Sequence, residues 1–148
     1  MTSNTMTSTN TDKPIRHIYE QWHEMIESRN LDGLMKLYSE DSVLESTAVL
    51  VLEKAATGVL HGKQAIRAHF KAFFDMVGKT EGFQWYRPGP LFSDGKLLIW
   101  EYPSKSPAGQ QLDVVESMDI NDGLIVYHRV YWGWVSFKPL LAALNRAA

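Results

Sequence analysis

The chain has 148 residues, 45% of them hydrophobic and 22% charged, which is the composition of one compact domain that can bury a core. Its net charge of −2 gives no field that would draw it onto nucleic acid or anionic lipid, and no apolar run approaches the roughly 20 residues that a membrane helix needs. The absence of cysteine excludes disulfides, thiolate metal sites and cysteine nucleophiles, and with an N-terminus unlike a secretory signal it predicts a cytoplasmic location.

The first half of the chain predicts mainly helices. Residues 1–12 are almost all Thr, Ser and Asn, which predicts a disordered tail. Apolar side chains spaced by three and four residues predict a helix from Pro14 to Asn30 and a short second helix within 31–41. A β-rich run at 42–52 predicts a strand, and a third helix is expected over 63–76.

The second half predicts an antiparallel sheet. Four runs rich in aromatic and β-branched residues lie between residues 82 and 135. Turn sequences separate them, and Asp94-Gly95 and Asp122-Gly123 are typical of hairpins. Helices followed by strands in this order predict a single α+β domain over 13–148 rather than a βαβ arrangement.

None of the long strands alternates cleanly between apolar and polar side chains. Ile99 and Glu101 share one face of their strand, and His128, Val130 and Trp132 share one face of the last strand. Both faces of each strand are largely apolar, as in a sheet covered by helices on one side and by a partner copy on the other. The periodicity leaves open which face meets the helices.

The sequence resembles the nuclear transport factor 2-like superfamily in the stretches SRNLDGLMKLYSEDSVLES, LHGKQAIRAHF and LDVVESMDINDGLIVYHRVYW, the last ending in a terminal YW. This superfamily includes ketosteroid isomerases, SnoaL-like polyketide cyclases and limonene-epoxide hydrolases. The resemblance covers residues 14–134. It implies a cone, open at its mouth, in which a curved antiparallel sheet wraps around the N-terminal helices.

The resemblance also implies where a site would lie and which reactions are missing. The acidic oxyanion-hole residue of ketosteroid isomerases matches Asp113, but their catalytic base matches Ser46 and their oxyanion tyrosine matches Trp22. Two of three functional groups are therefore absent, which argues against steroid isomerisation by that mechanism. The limonene-epoxide hydrolase pattern fails as well, because its strand aspartate matches Val130.

The same alignment turns His128 into the cone and Arg129 outward, and it implies a catalytic group of Asp113, His128 and Glu101. A carboxylate in an apolar cavity is desolvated, which raises its pKa, and an imidazole titrates near neutral pH. The expected substrate-binding residues are Trp22, Ser46, Phe70, Phe74, Ile99, Val130 and Trp132. Each of these residues also has a purely structural interpretation. His128 would be a hydrogen-bonded core residue, Glu101 would form a surface ion pair with Arg129 or Lys63, and Trp22 and Trp132 would be walls of the core.

Together these features predict a small cofactor-independent pocket protein that acts on an apolar small molecule by acid/base chemistry, as an isomerase, cyclase or hydrolase. The alternative is a non-catalytic binding or dimerisation module, which the missing base at Ser46 favours. No metal is implied, since the other histidines are scattered and His69 is expected on a solvated helix face. A homodimer through the outer sheet face is expected, because an apolar patch is hard to leave in water. Its expected members are Trp100, Tyr102, Met118, Ile120, Tyr127 and Tyr131.

Overall fold

The computed structural model describes five ranges of the chain: 12–78, 91–101, 114–134, 137–138 and 141–142. Within them, helices pack on one face of a curved six-stranded sheet, so the predicted α+β class is confirmed. None of the helices there is long and apolar enough to cross a membrane. The expected tail lies outside these ranges up to residue 11, and the division into tail and domain stays a prediction.

Four helices lie wholly within the described ranges: α1 (Asp12–Glu27), α2 (Leu31–Met35), α3 (Thr47–Leu52) and α4 (Lys63–Gly78). Helical residues are also described at 134, 137–138 and 141–142. The two long helices lie close to their predicted bounds, and their apolar stripes form much of the core. The buried residues of these stripes are Ile15, Ile18, Trp22 and Ile26 on α1, and Ile66, Phe70, Phe73 and Phe74 on α4. Spacings of three and four residues put each set on one side of its helix.

The sheet is built from β1 (Tyr38–Ser46), β2 (Val59–His61), β3 (Leu91–Ser93), β4 (Leu97–Glu101), β5 (Val114–Asn121) and β6 (Leu124–Trp132). Their order is β2-β1-β6-β5-β4-β3; β1 and β6 run parallel, and the other neighbours run antiparallel. Both predicted hairpins are confirmed. Gly95 has a φ of 95°, and Asp122 and Gly123 have φ of 49° and 74°, as a two-residue turn of this kind requires.

The strand predicted over 42–52 is only half correct. β1 ends at Ser46, whose backbone is still extended, and α3 begins at the next residue. The Ser46 hydroxyl accepts a hydrogen bond from the backbone N–H of Ala48 at 3.1 Å, which caps the helix. This cap and the burial of Val49 and Val51 against the core outweigh the β propensity of the segment.

The orientation of β6 agrees with the prediction. His128 is 1% exposed and lies on the face that meets the helices, edge-on to Trp22 of α1. Arg129 lies on the other face, where it donates two hydrogen bonds to the carboxylate of Asp119, at 3.2 and 2.7 Å. β6 therefore presents its imidazole to the interior and its guanidinium to the outer surface of the sheet.

On β4 and β5 the predicted orientation is wrong. The inner face of β5 carries the even-numbered Glu116 and Met118, and Met118 lies directly opposite His128. On β4 it is Trp100 that is buried, whereas Glu101 is exposed at the end of the strand. Glu101 therefore does not line the interior, and the position on which its predicted catalytic role depended is not the one that the structure shows.

A β-bulge in β6, where Val126 is the extra residue between Ile125 and Tyr127, explains this error. The two-residue turn after β5 sets a register that, continued along the strands, would place Ser117 opposite His128. The register shifts by one residue at the bulge, so Met118 takes that place instead. Because a shift of one residue exchanges the two faces of a strand, the even-numbered side chains of β5 share the inner face with Ile125 on one side of the bulge and with His128 on the other.

The outer sheet face is consequently less apolar than predicted. Tyr127 and Tyr131 do lie on it, whereas Tyr102 lies outside the described residues. Tyr131 is 56% exposed, and Phe92 of the edge strand β3 is 63% exposed. Three members of the expected patch belong to the buried core instead: Trp100, Met118 and Ile120.

Candidate functional site

A continuous chain of hydrogen bonds crosses the interior from α1 to the sheet. The indole Nε1 of Trp22 donates to the hydroxyl of Tyr38 at 3.2 Å. That hydroxyl lies 2.8 Å from Nδ1 of His128, and Nε2 of the same imidazole lies 2.6 Å from Oε2 of Glu116. The four side chains belong to α1, β1, β6 and β5, so the chain joins the helical layer to three strands.

The pairing of the strands brings these side chains together. Glu116 lies directly opposite Val130 on β6, which makes it the diagonal neighbour of His128 on the inner face. Tyr38 begins β1, which runs parallel to β6, and its ring centroid lies 6.0 Å from that of the imidazole. Trp22 projects from the apolar stripe of α1 and meets the Tyr38 hydroxyl from the helical side.

The order of donors and acceptors assigns the protons. The Trp22 indole can only donate, so the Tyr38 oxygen accepts from it. An ionised Glu116 carboxylate can only accept, so a neutral imidazole donates to it from Nε2 and accepts the Tyr38 proton at Nδ1. A neutral imidazole in this tautomer leaves each of these hydrogen bonds with one donor and one acceptor.

The electrostatics agree with a neutral tyrosine in this chain. Burial raises the pKa of Tyr38 well above its ordinary value; the hydrogen bond from Trp22 lowers it, and the negative charge of Glu116 raises it further. Tyr38 therefore keeps its proton and acts as a hydrogen-bond donor toward His128. A carboxylate, an imidazole and a hydroxyl in this order can move a proton, since the carboxylate fixes the tautomer and stabilises the imidazolium.

Aromatic rings enclose the chain. Trp22, Tyr38 and His128 are each at most 1% exposed, and Glu116 is 3% exposed. The ring of Phe70 stacks on the imidazole of His128 with a centroid distance of 6.5 Å. Rings thus occupy the hollow expected beside His128, and a ligand reaching it would have to displace one of them.

A second polar pair lies on the same inner face. The Ser46 hydroxyl accepts a hydrogen bond from Nε1 of Trp132 at 3.0 Å, in addition to capping α3. Ser46 lies opposite Val130 across the parallel pair, and Val130 lies opposite Glu116. Ser46, Val130 and Glu116 therefore form one row across three strands, next to the hydrogen-bonded chain.

The predicted site residues divide into three groups. Those that the structure brings together on the inner side of the sheet are Trp22, Ser46, Phe70, His128, Val130 and Trp132. Phe74 packs against Phe70 at 6.3 Å, one ring farther from the imidazole. Ile99 pairs with Ser117 and alternates with the buried side chains of β4, so it lies on the outer face. Asp113 lies outside the described residues, and its role stays a prediction.

Sequence reasoning missed Tyr38 and Glu116. Glu116 carried a usable signal, because it is the one charged residue among apolar residues on the even-numbered face of its strand. A carboxylate in such a position is costly to bury, which marks it as a candidate. Tyr38 carried no such signal, since a tyrosine in an apolar stripe is ordinary core.

A second histidine–carboxylate pair, of which only the histidine is buried, joins the end of α3 to α4. His69 is 5% exposed, so its expected place on a solvated face is wrong, and its Nδ1 lies 2.9 Å from Oε1 of Glu53. Burial lowers the pKa of His69; the hydrogen bond and charge of Glu53 raise it, and His128 lowers it. Among the described residues, no cluster of three or more His, Asp or Glu is placed to hold a metal ion.

The chain belongs to the SnoaL-like domain family, whose model matches residues 19–128. Solved structures agree on the fold. A SnoaL-like protein of unknown function from Burkholderia thailandensis is 15% identical, with a TM-score of 0.66 over 82% of this chain and 95% of that one. A nuclear transport factor 2-like protein from Anabaena variabilis is 16% identical, with a TM-score of 0.65 over 90% and 98%.

A further neighbour was solved with a small molecule. TerC, co-crystallised with polyporic acid, is 16% identical, with a TM-score of 0.65 over 87% of this chain and 98% of that one. No curated protein matches the chain. At these identities the likeness establishes the fold.

Proposed function

We propose that this SnoaL-like domain binds an apolar small molecule in its interior and acts on it by cofactor-independent acid/base chemistry. The proton-transfer group is Tyr38, His128 and Glu116. The observation that carries the proposal is their uninterrupted hydrogen-bonded chain, with distances of 2.8 and 2.6 Å, inside an aromatic enclosure.

The energetic cost of this chain supports a functional role. Taking a carboxylate out of water costs several kcal/mol, and well-packed apolar residues in its place are often neutral or stabilising. Met118 occupies the next inner position of β5 after Glu116. The inner face of this strand therefore accommodates an apolar side chain of about the same size as glutamate. Carboxylates in such surroundings cluster at functional sites.

These groups suit proton abstraction next to a carbonyl group, once a ligand has displaced one of the enclosing rings. With a ligand carbonyl between them, Tyr38 would donate its hydrogen bond to the carbonyl oxygen and free Nδ1 of His128. Nδ1 would take the proton from the adjacent carbon, the C–H electron pair would become the enolate double bond, and Glu116 would stabilise the imidazolium. If the ketone is β,γ-unsaturated, returning the proton from the imidazolium to the γ-carbon of the dienolate completes an isomerisation. If the enolate attacks a second carbonyl of the ligand, a ring closes and the resulting alkoxide takes the proton back from the imidazolium.

Hydrogen exchange tests this function with a simple probe. The apolar cyclic ketone 2-tetralone is incubated with the protein in D2O, and loss of the C–H signal next to the carbonyl is followed by proton NMR. We expect the wild-type protein to accelerate exchange and His128→Gln to slow it by about 100-fold, the range of general acid–base catalysis.

Two carboxylate variants supply the matched comparison. Glu116→Gln keeps an acceptor for the imidazole but loses the charge that stabilises the imidazolium, so exchange should slow by at least about 10-fold. Glu101→Gln changes an exposed carboxylate of the neighbouring strand and should leave exchange unchanged. Equal exchange rates in the two variants would contradict the proposal.

The near-complete burial of the chain favours one alternative, a binding module without catalysis. Its hydrogen bonds would then fix the core and shape the interior around a ligand. Chemical-shift changes of His128 and Trp22 on addition of 2-tetralone, with exchange no faster than in buffer, would support this alternative.

We also propose a homodimer through the outer sheet face, on which Tyr131 and Phe92 are exposed.

A further inference from the structure

A groove lies on the helical side of the molecule, between the end of α1 and the middle of α4. It is an open surface groove with a volume of about 430 Å³. Its lining residues are Arg29, Leu31, Lys71, Phe74 and Asp75. Two rings separate it from the proton-transfer group, since Phe74 packs on Phe70 and Phe70 stacks on His128.

The charge of the groove is unbalanced. Lys71 and Asp75 are four residues apart on α4 and form an ion pair of 2.8 Å, which neutralises that side. The guanidinium of Arg29 makes no hydrogen bond or ion pair within the part of the chain that the structure describes. The groove therefore presents one uncompensated cation above a floor formed by Leu31 and Phe74.

The backbone of Arg29 is held in a left-handed conformation, which favours glycine. Its φ is 55°, in the left-handed region, and it ends α1 in a Schellman motif. In that motif its N–H donates to the carbonyl of Ile26, and the N–H of Asn30 donates to the carbonyl of Met25. Glycine is favoured at this position because it adopts a positive φ without strain, so an arginine here lowers the stability of the fold. A role of the arginine side chain would explain why this residue is present.

We propose that this groove is a second ligand site, which takes a small molecule with an aromatic or alicyclic body and a carboxylate. The carboxylate pairs with the planar guanidinium of Arg29 through two parallel hydrogen bonds, and the apolar body lies on Leu31 and Phe74. Charge complementarity favours this class, because Arg29 is the cation among the described lining residues that has no ion-pair partner, and a carboxylate can replace the water on its guanidinium.

The test compares two probes of the same shape on ¹⁵N-labelled protein. We expect 2-naphthoate to shift the backbone amides of the groove residues and to bind about 10-fold more tightly than uncharged 2-naphthamide. Arg29→Gly should abolish this preference and raise the melting temperature by about 2 °C, because glycine accepts the left-handed backbone. Arg29→Gln keeps the bulk of the side chain and should lose the preference as well.

Arg16→Gln is the control, since it removes an exposed arginine of the same helix that does not line the groove. It should retain the preference for naphthoate. Equal affinity for the two probes, amide shifts outside the groove, a preference that survives in both Arg29 variants, or a lower melting temperature of Arg29→Gly would each overturn the proposal. The Arg29 variants should exchange 2-tetralone as the wild type does, so this test is independent of the proposed catalysis.

Discussion

Tyr38 is the residue on which the buried hydrogen-bonded chain depends, because its hydroxyl is both the acceptor for Trp22 and the donor to His128. Its side chain comes from the first residue of β1, while its two partners come from α1 and β6. The hydroxyl therefore connects the helical layer to the sheet through one atom. Removing it would change two interactions at once without changing the shape of the ring.

We predict that Tyr38→Phe lowers the free energy of unfolding by about 2–6 kcal/mol. The substitution leaves the Trp22 indole N–H and Nδ1 of His128 without this partner, and each unsatisfied buried group costs about 1–3 kcal/mol. Urea unfolding followed by tryptophan fluorescence measures the change. Tyr131→Phe removes an exposed hydroxyl and should stay within about 0.5 kcal/mol of the wild type. If the two variants are equally stable, the chain does not hold the core together.

Single residues also show where sequence reasoning is reliable. His128 is assigned to the interior by resemblance, and the structure places it there. Glu101 and Glu116 are both carboxylates in apolar strands, and the sequence pattern does not separate them. The register does, because it sets Glu116 beside the imidazole and leaves Glu101 at an exposed strand end.

At the scale of elements, the partly buried pair of His69 and Glu53 joins the end of α3 to the middle of α4. Glu53 is the C-cap residue of α3, so the pair anchors a helix of only six residues. Burial is the largest influence on the pKa of His69 and lowers it, outweighing the opposing effect of Glu53. The folded protein therefore holds a proton on His69 less tightly than the unfolded chain does.

This difference gives the stability a defined dependence on pH. Above about pH 6.5, the ordinary pKa of histidine, both states are neutral at His69 and its contribution is fully present. Below that pH the unfolded chain takes up the proton first, so stability falls as pH decreases toward the lowered pKa, by up to about 1.4 kcal/mol per pH unit.

We predict that the free energy of unfolding decreases less in His69→Asn than in the wild type when the pH is lowered from 7.5 to 5.5. Asparagine can still donate to Glu53 from a position near Nδ1, but it does not titrate. Urea unfolding at both pH values gives the comparison, and the difference isolates His69 from the other histidines. Identical pH dependence in the two proteins would show that His69 titrates normally.

At the scale of the whole molecule, the outer sheet face combines aromatic and charged side chains. Arg129 lies over the ring of Tyr127 at 4.1 Å and pairs with Asp119, and the Tyr127 hydroxyl donates to Glu45 at 3.0 Å. Tyr131 stands exposed beside this network. A polar network next to exposed aromatic rings is typical of a protein–protein interface.

We predict that the protein sediments as a dimer at about 10 μM and that Tyr131→Asp makes it a monomer, because a carboxylate on the face of both copies would be buried against itself. Leu50→Asp is the control, since Leu50 is a 40% exposed apolar residue on α3 rather than on the sheet. A monomeric wild type, or a dimer that only Leu50→Asp disrupts, would refute the outer-face interface.

The sequence by itself determined the long helices and the two hairpins, because each depends on interactions between residues close in the chain. Apolar spacing defines α1 and α4, and Asp122-Gly123 supplies the backbone that its turn needs. The tertiary structure alone decided which side chains of β4 and β5 face inward. Both faces of these strands are apolar, so local pattern cannot choose between them, and one bulge at Val126 of β6 sets the register between β5 and β6. That pairing brings Glu116 to His128 and thereby creates the candidate site.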